Sequence, residues 1–349
     1  MSEKKQKFFK LSGLIILFLA TTPIFFNIYR SAVFNTMPRD DYAPYLLHII
    51  GAGGGLPGAP FAYRILSVMI AVPFYYLLPV YQFSNLTNID LSYLKATEAL
   101  SMVSYICLVL TAVVIYLIAR RKYKSTEISA LFVAGFTFIL SYFISTTGID
   151  PIAILVISIL ILILENPLFF SAMIVLSIGI NEKIAILFAT ILFFRFIYGL
   201  YQKKSFKFTW QLILSICAVI GYFVVKAILK IPGNADQTDL SLFFPHILSS
   251  IKYSLSIKGL FLNILPIAIL GMLYALAFTP GKRESFCRTD LSALLILILL
   301  SFISDVVYNV GRVVMYSYPF YLPVIACLID DIFVFNKKEV VDVTISETA

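Results

Sequence analysis

The stretch ATEALSMVSYICLVLTAVVIYLIARRKYK, residues 96–124, decides the fold class of this chain. Residues 96–118 are predominantly apolar, and about 20 such residues are enough for a helix to cross a bilayer. Four basic residues follow at once: Arg120, Arg121, Lys122 and Lys124. Clusters of this kind are typical of the cytoplasmic end of a transmembrane helix. The stretch therefore predicts a membrane-spanning helix whose carboxyl end faces the cytoplasm.

The same alternation of apolar runs and short basic clusters extends along the chain. Further candidate spans are 11–29, 129–147, 151–165, 168–181, 184–200, 209–229, 259–279, 290–308 and 317–335. With 96–118 they make ten spans, and an even number returns the carboxyl terminus to the starting side. Sixteen of the 27 Lys and Arg residues lie in clusters on that side, as the positive-inside rule requires. We predict an all-α, multi-pass protein of the cytoplasmic (inner) membrane, with a single membrane domain over 1–349 and both termini, including a tail at 336–349, in the cytoplasm.

The composition excludes several other classes of protein. Hydrophobic residues make up 60% of the chain and charged residues 13%, and the mean hydropathy is +0.94. A soluble domain has about 45–50% apolar and about 25% charged residues, so a soluble enzyme, a disordered chain and a disulfide scaffold are excluded. The net charge of +8 arises from clusters between apolar runs. Membrane lipids are therefore expected as partners, and nucleic acid is not.

One apolar stretch, residues 65–82, does not fit as a span. It is interrupted by Pro73 and Pro79, and if it crossed the membrane every later basic cluster would lie outside. We therefore place it as a helix that lies at the outer interface or re-enters from it. A true span with an odd number of helices is the alternative. With residues 65–82 placed at the interface, residues 30–95 form one long extracytoplasmic loop, and residues 230–258 form a second outer loop.

Ionisable side chains at membrane depth are costly, which makes them candidates for function. Sorting them by predicted side places almost all of them on the outer face. The catalytic candidates are Asp40 and Asp41, and the candidates for binding substrate or phosphate are Arg64, Asp150, Glu182, Lys183, His246, Asp305, Arg312 and Tyr316. The chemistry is therefore expected on the outer side of the membrane.

Asp40 and Asp41 stand in the run MPRDDYAPY, about ten residues beyond the first predicted span. A carboxylate at this depth can act as a general base or hold a divalent cation. The structural alternative is an acidic pair that caps the next helix, since Asp is a favoured N-cap residue. Asp150 also has a structural interpretation: it could cap a helix that begins at Pro151, since Asp is favoured at the N-cap and Pro at the first helical position.

The basic candidates and the glycine-rich stretch also have two interpretations each. The planar fork of Arg64 matches phosphate oxygens, but the residue could equally be an interfacial anchor. Glu182 and Lys183 could be solvated residues of a hairpin, and Asp305 needs a basic partner, for which Arg312, Lys183 or Arg64 is a candidate. The stretch GAGGGLPGAP, 51–60, lacks the known phosphate-binding frameworks, so it favours a flexible turn.

The layout resembles the GT-C superfamily of polyprenyl-phosphate-dependent glycosyltransferases. The local texts RDDYAPY, APFAYRIL, TGIDPIAIL, GINEKIAIL and GRVVMYSYPFYLP are similar to those of bacterial multi-span members. The resemblance implies transfer of a sugar from a polyprenyl-phosphate-linked donor to a cell-envelope glycan, lipid or protein. It implies Asp40 or Asp41 as the base on the acceptor hydroxyl or as ligand of Mg²⁺ or Mn²⁺. It also implies that Arg312, and after it Arg64 or Lys183, holds the donor phosphate. The DxD and WWDYG signatures of some branches are missing.

Two other functions compete with this expectation. A polymerase or ligase of lipid-linked polysaccharide would also use basic residues on the outer face. A transporter or flippase would need ionisable residues inside its spans, where the sequence offers only Arg195, Lys226 and, nearer an outer end, Glu98.

Overall fold

The computed structural model describes residues 42–57, 61–77, 90–140, 150–201, 203, 207–229, 243–260, 264–265, 268, 316, 318–327 and 329–330. Within these ranges every regular element is a helix. Three short helices come first, α1 (Tyr42–Ile49), α2 (Ile65–Met69) and α3 (Val72–Leu77), with a 3₁₀ turn at Phe61–Tyr63. The others are α4 (Leu91–Arg121), α5 (Glu127–Leu140), α6 (Asp150–Leu162), α7 (Pro167–Ile178), α8 (Glu182–Tyr201), α9 (Thr209–Leu229), α10 (Phe243–Ser254), α11 (Ile257–Gly259) and α12 (Tyr318–Cys327).

Three of the described helices, α4, α8 and α9, are long and apolar enough to cross a membrane. The helices α5, α6, α7 and α12 are apolar but shorter, with 10 to 17 residues. The prediction of an all-helical membrane protein is thus supported, whereas the number of ten spans is not confirmed. The predicted spans 11–29 and 290–308 lie outside the described residues. Helix α4 begins at Leu91, inside the predicted loop 30–95, because Asp90 caps it by accepting a hydrogen bond from the Ser92 amide.

The apolar stretch that begins at Ile65 forms two short helices, α2 and α3, of 5 and 6 residues. A turn at Ile70 and Ala71 separates them, and there the Ala71 amide donates to the Val68 carbonyl at 2.9 Å. Neither helix approaches the roughly 20 residues of a span, and both lie against the rest of the bundle, α2 on α1 and α3 on α4. Their placement at the outer interface of the membrane stays a prediction.

The short helix α6 lies in the middle of the bundle. Ten of its 13 residues are buried, and it packs against α4, α7 and α8. Because most of these residues are buried, other parts of the protein surround α6 on most of its sides. The short helix α6 is therefore enclosed by other helices over most of its length.

Helix α9 is the opposite case, because in the described part of the chain one of its faces is largely exposed. It packs on α7 and α8 through Gln211, Leu212, Ser215, Ala218 and Tyr222, which are buried. Large apolar side chains on the other face remain exposed, for example Ile220 at 56% and Ile228 at 71%. An apolar face of this length is expected to contact lipid tails.

Several hydroxyl groups inside the apolar helices bond to a carbonyl of their own helix. Thr111 donates to the Cys107 carbonyl at 2.7 Å, Ser158 to the Ile154 carbonyl at 2.8 Å and Ser215 to the Gln211 carbonyl at 2.8 Å. These bonds satisfy polar groups that would otherwise cost several kcal/mol in hydrocarbon.

Hydrogen bonds also distinguish the two ends of the bundle. At one end Asp330, beyond α12, accepts bonds from the Thr126 amide and the Ser129 hydroxyl, both at 2.6 Å, next to the basic carboxyl end of α4. The Gln211 amide donates to the Leu164 carbonyl at 3.0 Å and joins α9 to the turn after α6. We call this end the basic end, because it carries the clusters that predict the cytoplasmic side.

Candidate functional site

Arg64 and Glu182 form a buried ion pair at the end of the bundle opposite the basic end. The Arg64 Nη2 atom lies 2.6 Å from Glu182 Oε1, and Nε donates to Oε2 at 3.0 Å. The two side chains are only 4% and 10% exposed. Burial opposes the charge on the guanidinium, but the Glu182 carboxylate outweighs it and raises the pKa of Arg64 above its ordinary value. The pair is bidentate, the geometry in which Arg and carboxylate bind most strongly.

Tyr42 connects this pair to helix α1. Its hydroxyl accepts a hydrogen bond from Arg64 Nη1 at 3.1 Å. Tyr42 is the first residue of α1, and in the sequence it directly follows Asp40 and Asp41. The ion pair therefore contacts the chain at the residue next to the acidic pair.

A second group of buried polar side chains lies beside the ion pair. The Tyr316 hydroxyl donates to Asp150 Oδ1 and accepts a hydrogen bond from Asn181 Nδ2 at 3.0 Å. Asp150, Asn181 and Tyr316 are 0%, 1% and 4% exposed. Tyr316 also lies close enough to Arg64 to favour its charge. We call Tyr42, Arg64, Asp150, Asn181, Glu182 and Tyr316 together the polar cluster.

Backbone contacts hold the loop segment of Arg64 against the turn between α7 and α8. The Leu66 amide donates to the Gly179 carbonyl at 3.0 Å, and the Ser67 hydroxyl donates to the Ile180 carbonyl at 2.8 Å. Gly179 permits this approach, because a Cβ atom there would lie 2.8 Å from the Leu66 side chain. The position of Arg64 is thus set by its neighbours as well as by its own charge.

The glycine-rich stretch forms a turn after α1. Gly51, Gly53 and Gly54 have φ angles of 71°, 102° and 76°, which L side chains rarely adopt. The Ala52 amide donates to the Leu47 carbonyl at 2.9 Å and closes the end of α1. At Gly54 a Cβ atom would lie 2.1 Å from the Pro44 carbonyl oxygen. The glycines allow the backbone conformation and the close contacts of this turn, which agrees with the prediction of a turn here.

The structure brings together four of the residues that the sequence singled out: Arg64, Asp150, Glu182 and Tyr316. The alternative of a solvated hairpin residue is wrong for Glu182, which is 8% exposed. Asp150 begins α6, with Pro151 in the first turn. Lys183 adjoins the cluster, because its backbone amide donates to Asn181 Oδ1, whereas no described contact brings the other predicted residues into it. Lys183 is partly exposed, His246 lies within α10, and Asp40, Asp41, Asp305 and Arg312 lie outside the described residues.

Tyr42 and Asn181 belong to the polar cluster although sequence reasoning did not select them. Both are direct neighbours of residues that it did select, Asp41 and Glu182. Placing a tyrosine or an asparagine in a turn at the membrane surface costs little free energy. Nothing in the local sequence therefore distinguishes Tyr42 or Asn181 from other residues of that type. Asn181 also caps α8, since its Oδ1 accepts a hydrogen bond from the Lys183 amide at 3.1 Å.

The chemistry of the polar cluster follows from its donors and acceptors. The Nε, Nη1 and Nη2 atoms of Arg64 each have a partner within the protein, so the guanidinium acts as a clamp between elements. Among the described residues, no three His, Cys, Asp or Glu side chains lie together as a metal site would require. The contacts of Arg64 thus fit a role in positioning.

The phenylalanine variant of Tyr316 tests the second group. Tyr316→Phe removes the donor to Asp150 and the acceptor for Asn181. We expect it to lower the free energy of unfolding by about 1–3 kcal/mol, since buried polar groups lose their partner. Denaturation in mixed detergent micelles measures the change. Tyr201→Phe is the matched control, because Tyr201 is 84% exposed, and equal stability of the two variants would contradict the role of Tyr316.

The fold and the polar cluster define a class: a helical membrane protein with a buried, charged cluster at one end of its bundle. Comparison with protein-family models, with curated proteins and with solved structures finds no match for this chain.

Proposed function

We propose that this chain is a membrane glycosyltransferase with ten spans, which transfers a sugar from a polyprenyl-phosphate-linked donor to a cell-envelope acceptor on the outer face. The observation that carries the proposal is the bidentate Arg64–Glu182 pair with Tyr42 on its third nitrogen. These contacts link the predicted first outer loop, at the residue directly after Asp40 and Asp41, to the start of α8. Helix α8 is apolar and long enough to cross a membrane.

An ion pair buried at the end of a membrane bundle is difficult to explain by stability alone. Apolar side chains of similar volume would serve stability as well or better, so a buried pair of this kind marks a position where geometry matters. In the proposal Arg64 and Glu182 are positioning residues. They hold the segment before α1 at the depth where lipid headgroups lie, and a general base in that segment would face the acceptor hydroxyl.

The donor phosphate needs fixed positive charge of its own, because negative charge develops on it as the sugar leaves. In the described residues Arg64 is already engaged by protein groups. The proposal therefore assigns the donor phosphate to Arg312, and Lys183, which is partly exposed at the start of α8, is the second candidate. Mg²⁺ or Mn²⁺ at Asp40 or Asp41 would supply further positive charge.

The test is a reconstitution of the purified full chain in proteoliposomes. The donors are a panel of polyprenyl-phosphate-linked hexoses and pentoses with labelled sugar, and cell-envelope extract provides acceptors. The expected result is label in an acceptor fraction that requires active protein, with heat-denatured protein as the control. Addition of single sugars fits the proposal, whereas products of increasing length would indicate a polymerase or ligase instead.

A transporter is the second candidate, because two ionisable side chains are buried within spanning helices. Glu98 of α4 is 3% exposed, and Arg195 of α8 is 7% exposed. Ionisable groups at such depth are typical of transport pathways. Movement of labelled donor across the same proteoliposomes, without label in any acceptor, would favour transport and overturn the proposal of transfer.

A further inference from the structure

A groove opens at the basic end of the bundle, far along the helices from the polar cluster. It lies between the turn after α6, the start of α7 and the start of α9, and its volume is about 650 Å³. Its walls include Leu168, Ser171, Phe208, Trp210 and Leu214. The volume is within the range of about 300–1,000 Å³ that ligand sites occupy.

The apolar wall of the groove faces outward from the protein. Leu168 is 75% exposed and Trp210 is 58% exposed. Both sit at the ends of apolar helices, and Trp210 is the single tryptophan of the chain. Tryptophan at such a position is typical of the boundary between hydrocarbon and lipid headgroups. The groove is thus placed where a lipid can enter sideways from the membrane.

The lining of the groove includes one basic side chain and one acidic side chain. Lys207 is part of the lining, and the loop between α8 and α9 also contains Lys203 and Lys204. Behind the wall, the guanidinium of buried Arg195 lies 5.4 Å from the centre of the Phe208 ring. The opposing charge is Glu165, whose Oε1 lies 3.4 Å from Lys207 Nζ. Both partners of that pair are about 70% exposed, and exposed pairs hold their partners weakly, so the Lys207 ammonium can turn to another anion.

We propose that this groove binds one anionic phospholipid of the cytoplasmic leaflet. An acyl chain lies on Leu168, Trp210 and Leu214, and the headgroup phosphate lies at Lys207. The charge favours an anionic headgroup over a zwitterionic one, because a basic side chain near the surface contributes about 1 kcal/mol toward anionic lipid. The site is independent of the proposed sugar transfer, which takes place at the opposite end of the bundle.

The single tryptophan makes the groove directly observable. The full chain is reconstituted in phosphatidylcholine vesicles that contain a small fraction of either brominated phosphatidylglycerol or brominated phosphatidylcholine. Bromine on the acyl chain quenches the fluorescence of a tryptophan that it contacts. We expect stronger quenching of Trp210 by the brominated phosphatidylglycerol at equal mole fraction.

Substitutions at Lys207 test the charge. We expect Lys207→Gln to reduce the preference for phosphatidylglycerol by about five-fold, which corresponds to about 1 kcal/mol. We expect Lys207→Arg to keep the preference. The matched control is Lys124→Gln, which removes an exposed lysine on the same predicted side of the membrane but outside the groove, and it should behave as the wild type does.

Three results would overturn the proposal. The first is equal quenching by the two brominated lipids in the wild-type protein. The second is a preference in Lys207→Gln that matches the preference in Lys124→Gln. The third is loss of the preference when inorganic phosphate is added at constant ionic strength, since the site would then bind free phosphate rather than a lipid headgroup.

Discussion

Replacing Arg64 by alanine is expected to lower the free energy of unfolding by about 3–5 kcal/mol, because it leaves the carboxylate of Glu182 buried without its partner. The Glu182 side chain is only 10% exposed, so solvent stabilises its charge much less than the guanidinium does. The same substitution also removes the hydrogen bond to Tyr42. Denaturation of the purified protein in mixed detergent micelles measures the effect.

Two further variants separate the ion pair from general packing. Arg121→Ala is the matched control, since Arg121 is exposed at the end of α4, and its expected effect is within about 0.5 kcal/mol. In the double variant Arg64→Met/Glu182→Leu neither charge remains, so we expect most of the stability to return. A loss in Arg64→Ala no larger than in Arg121→Ala would contradict a structural role for the pair.

The fold class was predictable from the sequence because membrane spans are long and apolar. The predicted span 209–229 coincides with α9, and 184–200 lies within α8, Glu182–Tyr201. The short predicted spans 151–165 and 168–181 also lie close to α6 and α7, Asp150–Leu162 and Pro167–Ile178, but the burial of α6 was not predicted. A run of apolar residues has the same appearance whether it faces lipid or other helices, so burial of α6 on most of its sides was not visible in the sequence.

Candidate site residues were predictable because polar and ionisable side chains are energetically costly at membrane depth. Their interaction partners were not predictable. Arg64, Asp150, Glu182 and Tyr316 were singled out because they stand beside apolar runs. The partner of Arg64 is Glu182, 118 residues away, whereas the ion-pair partner that the sequence suggested for Arg64 was Asp305. Ion pairs across such separations depend on how helices pack, and the positive-inside rule fixes only the side of each turn.

Replacing Asp40 or Asp41 by asparagine is expected to abolish sugar transfer while membrane insertion stays normal. Asparagine keeps the size of the side chain but removes its charge and basicity, and loss of a general base typically costs about 10²–10⁴-fold in rate. The measurement is label transfer in proteoliposomes by Asp40→Asn, Asp41→Asn and the double variant. Protein abundance in the membrane fraction shows whether insertion is unchanged.

Asp90→Asn is the matched control for these variants. It makes the same change on the same predicted side, at a residue that caps α4, and asparagine caps a helix about as well as aspartate. Transfer at the wild-type rate by both single variants and by the double variant would eliminate this acidic pair as the base. Assays at a raised concentration of Mg²⁺ or Mn²⁺ distinguish the two proposed roles of the carboxylate, general base and metal ligand. Activity that returns with added cation indicates a metal ligand, whereas a missing base is not restored by metal.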